Sequence, residues 1–406
     1  MAKRKPRLLF AWELGARFGH AAKIEGVARA LGRRAEITVA ARHPAAIRAL
    51  APDLKLRLLP APQAAPERRA PPVTYSEALL SAGWADPAGL AALVEAWESL
   101  FALARPDLVV CQAAPTALLA ARASSRPAAM IGGGFDAPPR GRPMPPFYFW
   151  RPEFSETAAA REAPAVEAAN AVLAAAGAPP LAAFADLLDG AVPYLLAAWP
   201  EIDHYGDRSR FEPGHPPYLG QIAATDRGAE TEWRQGAARR ILAYLQPAGP
   251  PSEAAFAALA ARPASEDVIL ACPGAPAELR ERFAGTAVRL FDGPVRLDRL
   301  LGAADLGLSH GSSGVAGAFL AAGVPQVSLP VHAEQVMVAR ALGEARIGLG
   351  LAGRYGAEEV GKAIENALTS VPIQARARAV GARAAAAPPP ADACAEALFA
   401  RAEAVR

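Results

Sequence analysis

A strand–loop–helix–strand pattern between residues 304 and 335 limits the folds that this chain can adopt. A short apolar run at 304–308 predicts a buried strand, and a loop of glycine and serine follows at 310–314. An apolar helix at 315–322 and a second apolar run at 327–329 complete the pattern. Gly323 ends the helix and Pro325 follows it, as is typical of helix C-termini. A βαβ unit of this kind places its loop at the carboxyl end of a strand, where open α/β sheets bind ligands.

The loop of this unit carries groups that bind anions. Its residues are His310, Gly311, Ser312, Ser313, Gly314 and Val315. The first N–H groups of a helix have no partner inside the helix, and the helix dipole favours negative charge there. His310 can donate a further hydrogen bond, and the two serine hydroxyls add donors. The alternative is structural: Ser312 or Ser313 caps the helix, and His310 packs at the end of the strand.

A second polar group follows the next predicted strand. Glu334 and Gln335 lie in the loop after Pro330, at the same edge of the predicted sheet as the anion-binding loop. A carboxylate and a carboxamide are suited to the hydroxyl groups of a sugar. The two loops together predict a site for a sugar linked to phosphate.

The stretch from Leu300 to Gln335 resembles, without a gap, the donor-binding signature of the GT-B glycosyltransferases of family 1. It reads LLGAADLGLSHGSSGVAGAFLAAGVPQVSLPVHAEQ. These enzymes use nucleoside diphosphate sugars. The resemblance implies an α/β protein with the GT-B fold, in which two doubly wound Rossmann-like domains face each other across a cleft. It also implies a UDP- or TDP-linked sugar as co-substrate, with no cofactor and no metal ion.

The resemblance further implies roles for individual residues. They are His310 and the backbone from Ser312 to Val315 for the donor pyrophosphate, Glu334 and Gln335 for the sugar hydroxyls, and Val295 and Leu297 for the nucleoside. Three sites depart from the family's pattern. One is Val295-Arg296-Leu297, which stands where the family has the base-stacking segment VPQ or VPH. Ala318 stands where the family has a glutamate that holds the ribose hydroxyls, and Val315 stands where it has a threonine.

His20 is the candidate general base. The predicted strand at 8–13 leads into a glycine-containing loop, then His20, then a helix over 21–31. This opening is similar to that of the same glycosyltransferases, in which the equivalent histidine often takes the proton of the acceptor. An imidazole, whose ordinary pKa is about 6.5, suits that task at neutral pH. The alternative is a histidine near a helix N-terminus that has no catalytic duty.

The carboxylate that orients this histidine in the family is absent from its usual place. That place follows the strand predicted at 107–111, where this chain has Gln112, which can only form hydrogen bonds. Glu13 and Asp136 are the carboxylates that could replace it. The loop over 135–152 is rich in aromatic residues, and it could line an acceptor pocket or pack its own rings at the surface.

The rest of the chain alternates strands and helices in two halves. Strands are predicted at 8–13, 37–40, 54–59, 107–111, 128–131 and 192–198, and then at 241–245, 268–271, 288–291, 304–308 and 327–329. The predicted division is an N-terminal domain over 1–198, a proline- and glycine-rich linker over 199–222, a C-terminal domain over 223–375, and a last helical segment over 376–406 that crosses back to the N-terminal domain. Closing helices are predicted over 334–370.

Composition argues against several other classes of protein. A formal net charge of +3 without a compact basic stripe argues against nucleic-acid binding. Cys111, Cys272 and Cys394 lie far apart without metal-ligand spacing, so buried thiols in a reducing cytoplasm are expected. No window approaches about 18 uninterrupted apolar residues, and the first apolar run is too short for an export signal. No transmembrane segment is therefore predicted.

The sequence thus predicts a metal-independent glycosyltransferase that moves a sugar from a nucleoside diphosphate donor to a hydroxyl or amine of a small-molecule acceptor. Two alternatives stay open. A GT-B epimerase would use the same phosphate site with carboxylates clustered near the anomeric carbon. A non-catalytic protein that binds nucleotide sugars is favoured by Ala318 and Gln112, whereas the presence of both His20 and His310 argues against it.

Overall fold

Parallel strands covered by helices build both halves of the chain. A computed structural model describes residues 4–15, 18–65, 67 and 69–406. The chain divides into two units. The first contains the chain up to Ala198, together with Asp207–Ile222 and Pro388–Arg406, and the second contains Trp199–Gly206 and Ala223–Ala387.

The first unit is built on a parallel sheet. Its described strands are β1 (Arg7–Trp12), β2 (Glu36–Ala41), β3 (Arg57–Pro60), β4 (Leu108–Cys111), β5 (Ala128–Gly132) and β6 (Ala191–Leu196). They lie in the order β3-β2-β1-β4-β5-β6. The central strands β1 and β4 are apolar along nearly their whole length, as expected when helices cover both faces of a sheet. The strand order reverses between β1 and β4, so the loops after these strands flank the point where such sheets bind ligands.

Helices follow most of these strands. They are α1 (Phe18–Leu31), α2 (Pro44–Leu50), α3 (Tyr75–Leu79), α4 (Pro87–Ala104), α5 (Pro115–Ala123), α6 (Pro152–Glu156), α7 (Ala158–Ala175) and α8 (Ala185–Asp189). A π-helical turn, Leu80–Trp84, continues α3. α4 is long and apolar enough to span a membrane by length and mean hydropathy (1.2) alone. In the structure, its Leu90, Val94, Trp97 and Phe101 are buried in the first unit.

The second unit repeats the design. Its described strands are β7 (Arg240–Tyr244), β8 (Asp267–Ala271), β9 (Val288–Phe291), β10 (Leu306–Ser309), β11 (Gln326–Ser328) and β12 (Gly348–Gly350), in the order β12-β11-β10-β7-β8-β9. Its helices are α9 (Pro250–Ala260), α10 (Ala277–Arg282), α11 (Leu297–Leu300), α12 (Ser313–Ala321), α13 (Ala333–Glu344), α14 (Ala357–Thr369) and α15 (Val371–Ala386). The order reverses between β7 and β10, so the loop before α12 lies at the switch point of this sheet.

Each strand predicted from the sequence overlaps a strand of the structure, which confirms the doubly wound α/β class.

The prediction of helices throughout 334–370 is wrong at β12. This strand is only three residues long and contains two glycines, so it lacks an apolar run. Gly348 lies so close to β11 that a Cβ atom on it would be 2.4 Å from the carbonyl oxygen of Gln326. A glycine therefore allows a strand here that the sequence pattern does not indicate.

The chain crosses between the units more often than a single linker requires. The stretch predicted as a linker, 199–222, is divided between them. α15 belongs to the second unit, whereas the last helix, α16 (Pro390–Ala404), belongs to the first. There α16 packs against α1 and β6, with Cys394 and Leu398 fully buried and Arg34 paired to Glu396 at 2.6 Å.

A buried carboxylate ties α4 and α5 to the end of β1. Glu13 is only 4% exposed, and its two oxygens accept hydrogen bonds from the N–H of Thr116 at 2.5 Å and the indole of Trp97 at 2.9 Å. Thr116 lies in the first turn of α5, where a negative charge is favoured by the helix dipole. Burial nevertheless dominates, and it raises the pKa of Glu13 from 4.5 to about 7.

Glu13 should make the protein less stable as the pH rises from 4.5 to about 7. In that window the folded state binds more protons at Glu13 than the unfolded chain does, so deprotonation costs folding free energy. Glu13→Gln should remove this part of the pH dependence. Urea unfolding between about pH 5 and pH 8 measures it, with Glu95→Gln on the exposed side of α4 as the control. The same pH slope for wild type and Glu13→Gln would contradict the assignment.

Candidate active site

His20 lies in the first turn of α1, after the loop that follows β1. In that loop Gly15 has a φ of +78°, and a Cβ atom on it would lie 2.3 Å from Nε2 of His20. Only glycine permits this backbone conformation and this approach to the imidazole without strain. Ala16 and Arg17 of the predicted loop lie outside the described residues.

Gln112 connects His20 to a buried carboxylate. Nδ1 of His20 lies 3.1 Å from Oε1 and 2.9 Å from Nε2 of Gln112, and this Nε2 donates to Oδ2 of Asp136. The same carboxylate oxygen lies 3.7 Å from Nδ1 of His20. Glu13, the other carboxylate considered from the sequence, is held by α4 and α5 instead. Asp136, in the loop after β5, is therefore the carboxylate nearest this histidine.

Asp136 is held in its charged form. Burial disfavours the charge, but Lys23 and His20 beside it outweigh this effect and hold the pKa of Asp136 below its usual value. Nζ of Lys23 lies 3.0 Å from Oδ2, and the N–H of Gly133 donates to Oδ1 at 2.6 Å. Sequence analysis missed Lys23, which lies one helical turn after His20 and so on the same face of α1.

Trp12 holds the imidazole from the side of the sheet. Its ring stacks on His20 with centroids 5.6 Å apart and an angle of 27° between the planes. The ring of His43 packs against the same indole in a T-shaped arrangement, with ring centroids 5.8 Å apart. The indole N–H donates to the carbonyl of Leu14 at 2.8 Å, so the tryptophan is itself fixed. The orientation of His20 is thus set by a ring, a glycine and a hydrogen-bonded amide.

The loop before α12 leaves backbone donors available for an anion. The first hydrogen bond inside the helix runs from the N–H of Ala316 to the carbonyl of Ser312 at 2.9 Å, so the N–H groups of Ser313, Gly314 and Val315 precede it. These residues are half-buried. Ser312 occupies the N-cap position, but its hydroxyl makes no capping bond. The side chain of Ser312 therefore does not cap the helix, as the structural alternative would require.

Gly311 brings this loop against the neighbouring strand. It has a φ of +83°, and a Cβ atom on it would lie 2.3 Å from Oγ of Ser328, in β11. Its N–H donates to Oγ of Ser309 at 3.0 Å. The side chain of Ser309 and the missing side chain of Gly311 thus fix the start of the loop.

His310 is placed differently from its predicted role as a phosphate donor. Its ring is 5% exposed, and its Nδ1 lies 2.7 Å from the carbonyl oxygen of Leu329, to which it donates. Its Nε2 accepts the N–H of Gln246 at 3.1 Å. Both ring nitrogens are thus used inside the second unit, because the loops after β7 and β11 meet at this ring. In this arrangement His310 holds the two loops together, and its role toward the donor phosphates stays a prediction.

The two residues predicted to bind sugar hydroxyls differ from each other. Glu334, at the start of α13, keeps 30% of its side chain exposed, and an oxygen of its carboxylate lies 3.8 Å from Nε2 of His204. Gln335 is 1% exposed, and its amide oxygen accepts the N–H of Val331 at 2.9 Å. The amide oxygen of Gln335 is thus used to hold the loop, whereas Glu334 stays accessible.

The residues predicted to contact the nucleoside are part of the core. Val295 and Leu297 are 1% and 8% exposed, and they pack with Phe319 in one apolar cluster. Ala318 belongs to the same cluster and is 6% exposed, so a glutamate here would be buried among apolar groups. These side chains therefore lie in the core, and the role of this segment toward the nucleoside stays a prediction. The partly buried aromatic residues that border this cluster, which sequence analysis missed, are Trp233, Tyr244 and Phe291.

The remaining sequence candidates do not form reactive groups. Among the described residues, no three His, Cys, Asp or Glu side chains are grouped so that they could hold a metal ion. All three cysteines are buried, and burial raises the pKa of each thiol, to about 11 for Cys272 and about 12 for Cys394. In the aromatic-rich loop, Phe135 stacks on Phe147 with centroids 4.7 Å apart, so part of this loop packs its own rings.

No protein family model and no curated protein matches this sequence. Solved structures do match it. The calicheamicin glycosyltransferase CalG4 is 19% identical with a TM-score of 0.71, and the match covers 98% of each chain. SnogD from Streptomyces nogalater is 22% identical with a TM-score of 0.64, covering 98% of this chain and 99% of that chain. The spinosyn rhamnosyltransferase SpnG, complexed with thymidine diphosphate, is 19% identical with a TM-score of 0.68, covering 97% and 99%.

These similarities establish the fold. Two six-stranded parallel sheets with covering helices, matched over nearly the whole chain by glycosyltransferase structures, define a protein with the GT-B fold. The fold predicted from the signature at 300–335 is thereby confirmed. At identities below a quarter, the activity of this chain has to be argued from its own residues.

Gly15→Ala should displace the imidazole of His20, because the added methyl group would occupy the space beside Nε2. We expect a changed NMR titration of His20 and lower stability. Gly19→Ala is the matched control, since a Cβ atom there meets no atom of the described residues within 4 Å. This control should leave the titration unchanged and slightly favour the helix, by about 0.5–1 kcal/mol. An unaltered His20 signal in a folded Gly15→Ala protein would contradict the packing described.

Proposed function

We propose that this protein is a glycosyltransferase that moves a sugar from a nucleoside diphosphate donor to a hydroxyl or amine of a small-molecule acceptor. The observation that carries the proposal is the buried connection from His20 through Gln112 to the charged Asp136. A histidine fixed in this way on a GT-B fold has the parts of a general base. The anion-binding loop before α12 supplies the second requirement, a place for the donor phosphates.

In the proposed reaction His20 takes the proton of the acceptor. With its proton on Nδ1, His20 donates to Oε1 of Gln112, which leaves Nε2 as the basic nitrogen. When Nε2 binds the proton, the ring becomes a cation, and the negative charge of Asp136 at 3.7 Å stabilises it. Gln112 transmits orientation through its hydrogen bonds, and Asp136 supplies the charge. The carboxylate thus acts here from the loop after β5 and not from the strand end after β4.

The second unit would bind the donor and stabilise the leaving group. The N–H groups of Ser313, Gly314 and Val315, with the positive end of the α12 dipole, suit a diphosphate. Donors fixed where negative charge develops are a large catalytic contribution that needs no metal ion. His310 would act indirectly, by holding the loops after β7 and β11 around this site. Glu334 is the accessible candidate for the sugar hydroxyls.

We infer that a TDP-linked donor is accepted at least as well as a UDP-linked one. Ala318 provides no carboxylate for the ribose hydroxyls, so a deoxyribose loses little in this site. The thymidine diphosphate complex of the similar protein SpnG supports the same choice. Metal independence and a cytoplasmic location stay predictions from the sequence.

A non-catalytic binding protein is the competing function. Such a protein would not need the buried charge of Asp136 or the salt bridge from Lys23 that maintains it. An epimerase would need carboxylates near the anomeric carbon, and Glu334 is the accessible carboxylate that we find in the candidate sugar site. The connected histidine therefore favours transfer over both alternatives.

His20→Ala should lower turnover by about 10²–10⁴-fold and leave TDP affinity nearly unchanged, because the base is lost and the phosphate loop is not. Release of TDP from a TDP-sugar, with and without acceptors, gives the rate, and calorimetry gives the affinity. Asp136→Asn should also lower the turnover rate. His43→Ala, which removes the other imidazole against Trp12, is the matched control. A His20→Ala protein that keeps wild-type turnover would contradict the proposal.

Weak discrimination between ribose and deoxyribose is expected at the donor site. With Ala318 in place of a carboxylate, UDP and 2′-deoxy-UDP should bind within about tenfold of each other, or 1.4 kcal/mol. Calorimetric titration of both nucleotides into wild type measures the ratio. A preference for UDP of a hundredfold or more would show that another side chain holds the ribose.

A further inference from the structure

A small cavity lies at the carboxyl end of the first sheet. Its volume is about 200 Å³. It is lined by Leu14, Arg42, Gln63, Ala82, Leu93 and Thr116, among others. Pockets for whole drug-sized ligands measure roughly 300–1,000 Å³, so this one has room for one end of such a molecule. One wall contains Ser81 and Ala82 of the turn Leu80–Trp84, which is kinked at Ala82 and Gly83.

Arg42 gives this cavity a positive charge without a counter-charge. One terminal nitrogen, Nη1, donates to the carbonyl of Glu13 at 3.0 Å. Nε is withdrawn from solvent and has no hydrogen-bond partner in the described part of the chain. Among the described residues no carboxylate lies within ion-pair distance of this guanidinium. A cation that is partly desolvated and unpaired has more to gain from an anionic ligand than one in water.

Glu13 does not act as that counter-charge, although it also borders the cavity. Its carboxylate oxygens accept from the N–H of Thr116 and the indole of Trp97, so they are turned toward α5 and α4. Only its backbone carbonyl contacts Arg42. The charge of the guanidinium thus remains available to a ligand.

The cavity lies next to the candidate base. Leu14 in its wall is followed by Gly15, whose backbone lies against Nε2 of His20. The backbone of Arg42 is tied to the same place, because its N–H donates at 2.7 Å to the carbonyl of Trp12, the residue that stacks on His20. A molecule that enters this cavity therefore reaches the side of the domain where His20 would take a proton.

We propose that this cavity binds a carboxylate group of the acceptor and that Arg42 determines specificity for it. This inference rests on the proposed function, since it names the acceptor class of that enzyme. A guanidinium matches a carboxylate with two parallel hydrogen bonds, and it keeps its charge at any physiological pH. The apolar side chains of Leu14, Ala82 and Leu93 suit the hydrocarbon part next to such a group. The acceptor is thus an acid with a compact apolar or aromatic end.

Benzoate and methyl benzoate are the probes, because they differ only in the charged group. NMR titration of the wild-type protein should show saturable binding of benzoate at least tenfold tighter than binding of the ester. Arg42→Met should abolish this preference, and Arg42→Lys should retain part of it because the charge remains without the planar fork. Arg48→Met, an exposed arginine of α2, is the matched control and should bind like wild type.

Several results would overturn the inference. No saturable binding of benzoate by wild type, equal binding of the acid and the ester, or tighter binding of inorganic phosphate than of benzoate would each contradict it. An unchanged preference for benzoate in Arg42→Met or Arg42→Lys contradicts it as well. TDP binding and His20-dependent turnover are measured in the same proteins. If these persist while the benzoate preference is absent, only the acceptor assignment falls. If His20→Ala also turns over like wild type, the proposed function falls with it.

Discussion

The buried charge of Asp136 is the constraint around which the first unit arranges its site. A carboxylate withdrawn from water is unstable unless donors and a positive charge surround it. Here α1 supplies Lys23, the loop after β5 supplies the N–H of Gly133, and the end of β4 supplies Gln112. Three separate segments therefore meet at the two carboxylate oxygens of Asp136. His20 gains its fixed orientation as a member of this group, so the same contacts that stabilise the charge also prepare the base.

Much of the architecture was accessible from the sequence because buried parallel strands are apolar along nearly their whole length. β1, β4 and β8 are examples, and the helices between them could be located from their ends. The loop before α12 was predicted for a related reason. Its glycine and serine residues lie between two such strands, and that position fixes where the loop falls on the sheet. β12 was missed because close packing of Gly348, rather than an apolar run, permits it.

The contacts within the site were less accessible, because they depend on which loops meet. The spacing of residues could not show that the loops after β7 and β11 would use both nitrogens of His310, or that Val331 would use the amide oxygen of Gln335. A motif specifies residue types, whereas the partner of each polar atom is decided by tertiary packing. Asp136 was one of two carboxylates that the sequence left open, and only the fold separates it from Glu13.

The return of α16 to the first unit has a consequence for the order of folding. During synthesis, α16 follows the whole of the second unit, so the face of α1 that it covers has no partner until most of the chain has been made. Domains usually fold as units as they are synthesised, and exposed apolar surface in the interval favours association with other chains. In this protein the second unit can fold before the first is complete. The segment that contains the candidate base is therefore closed by a helix that is synthesised after the whole second unit.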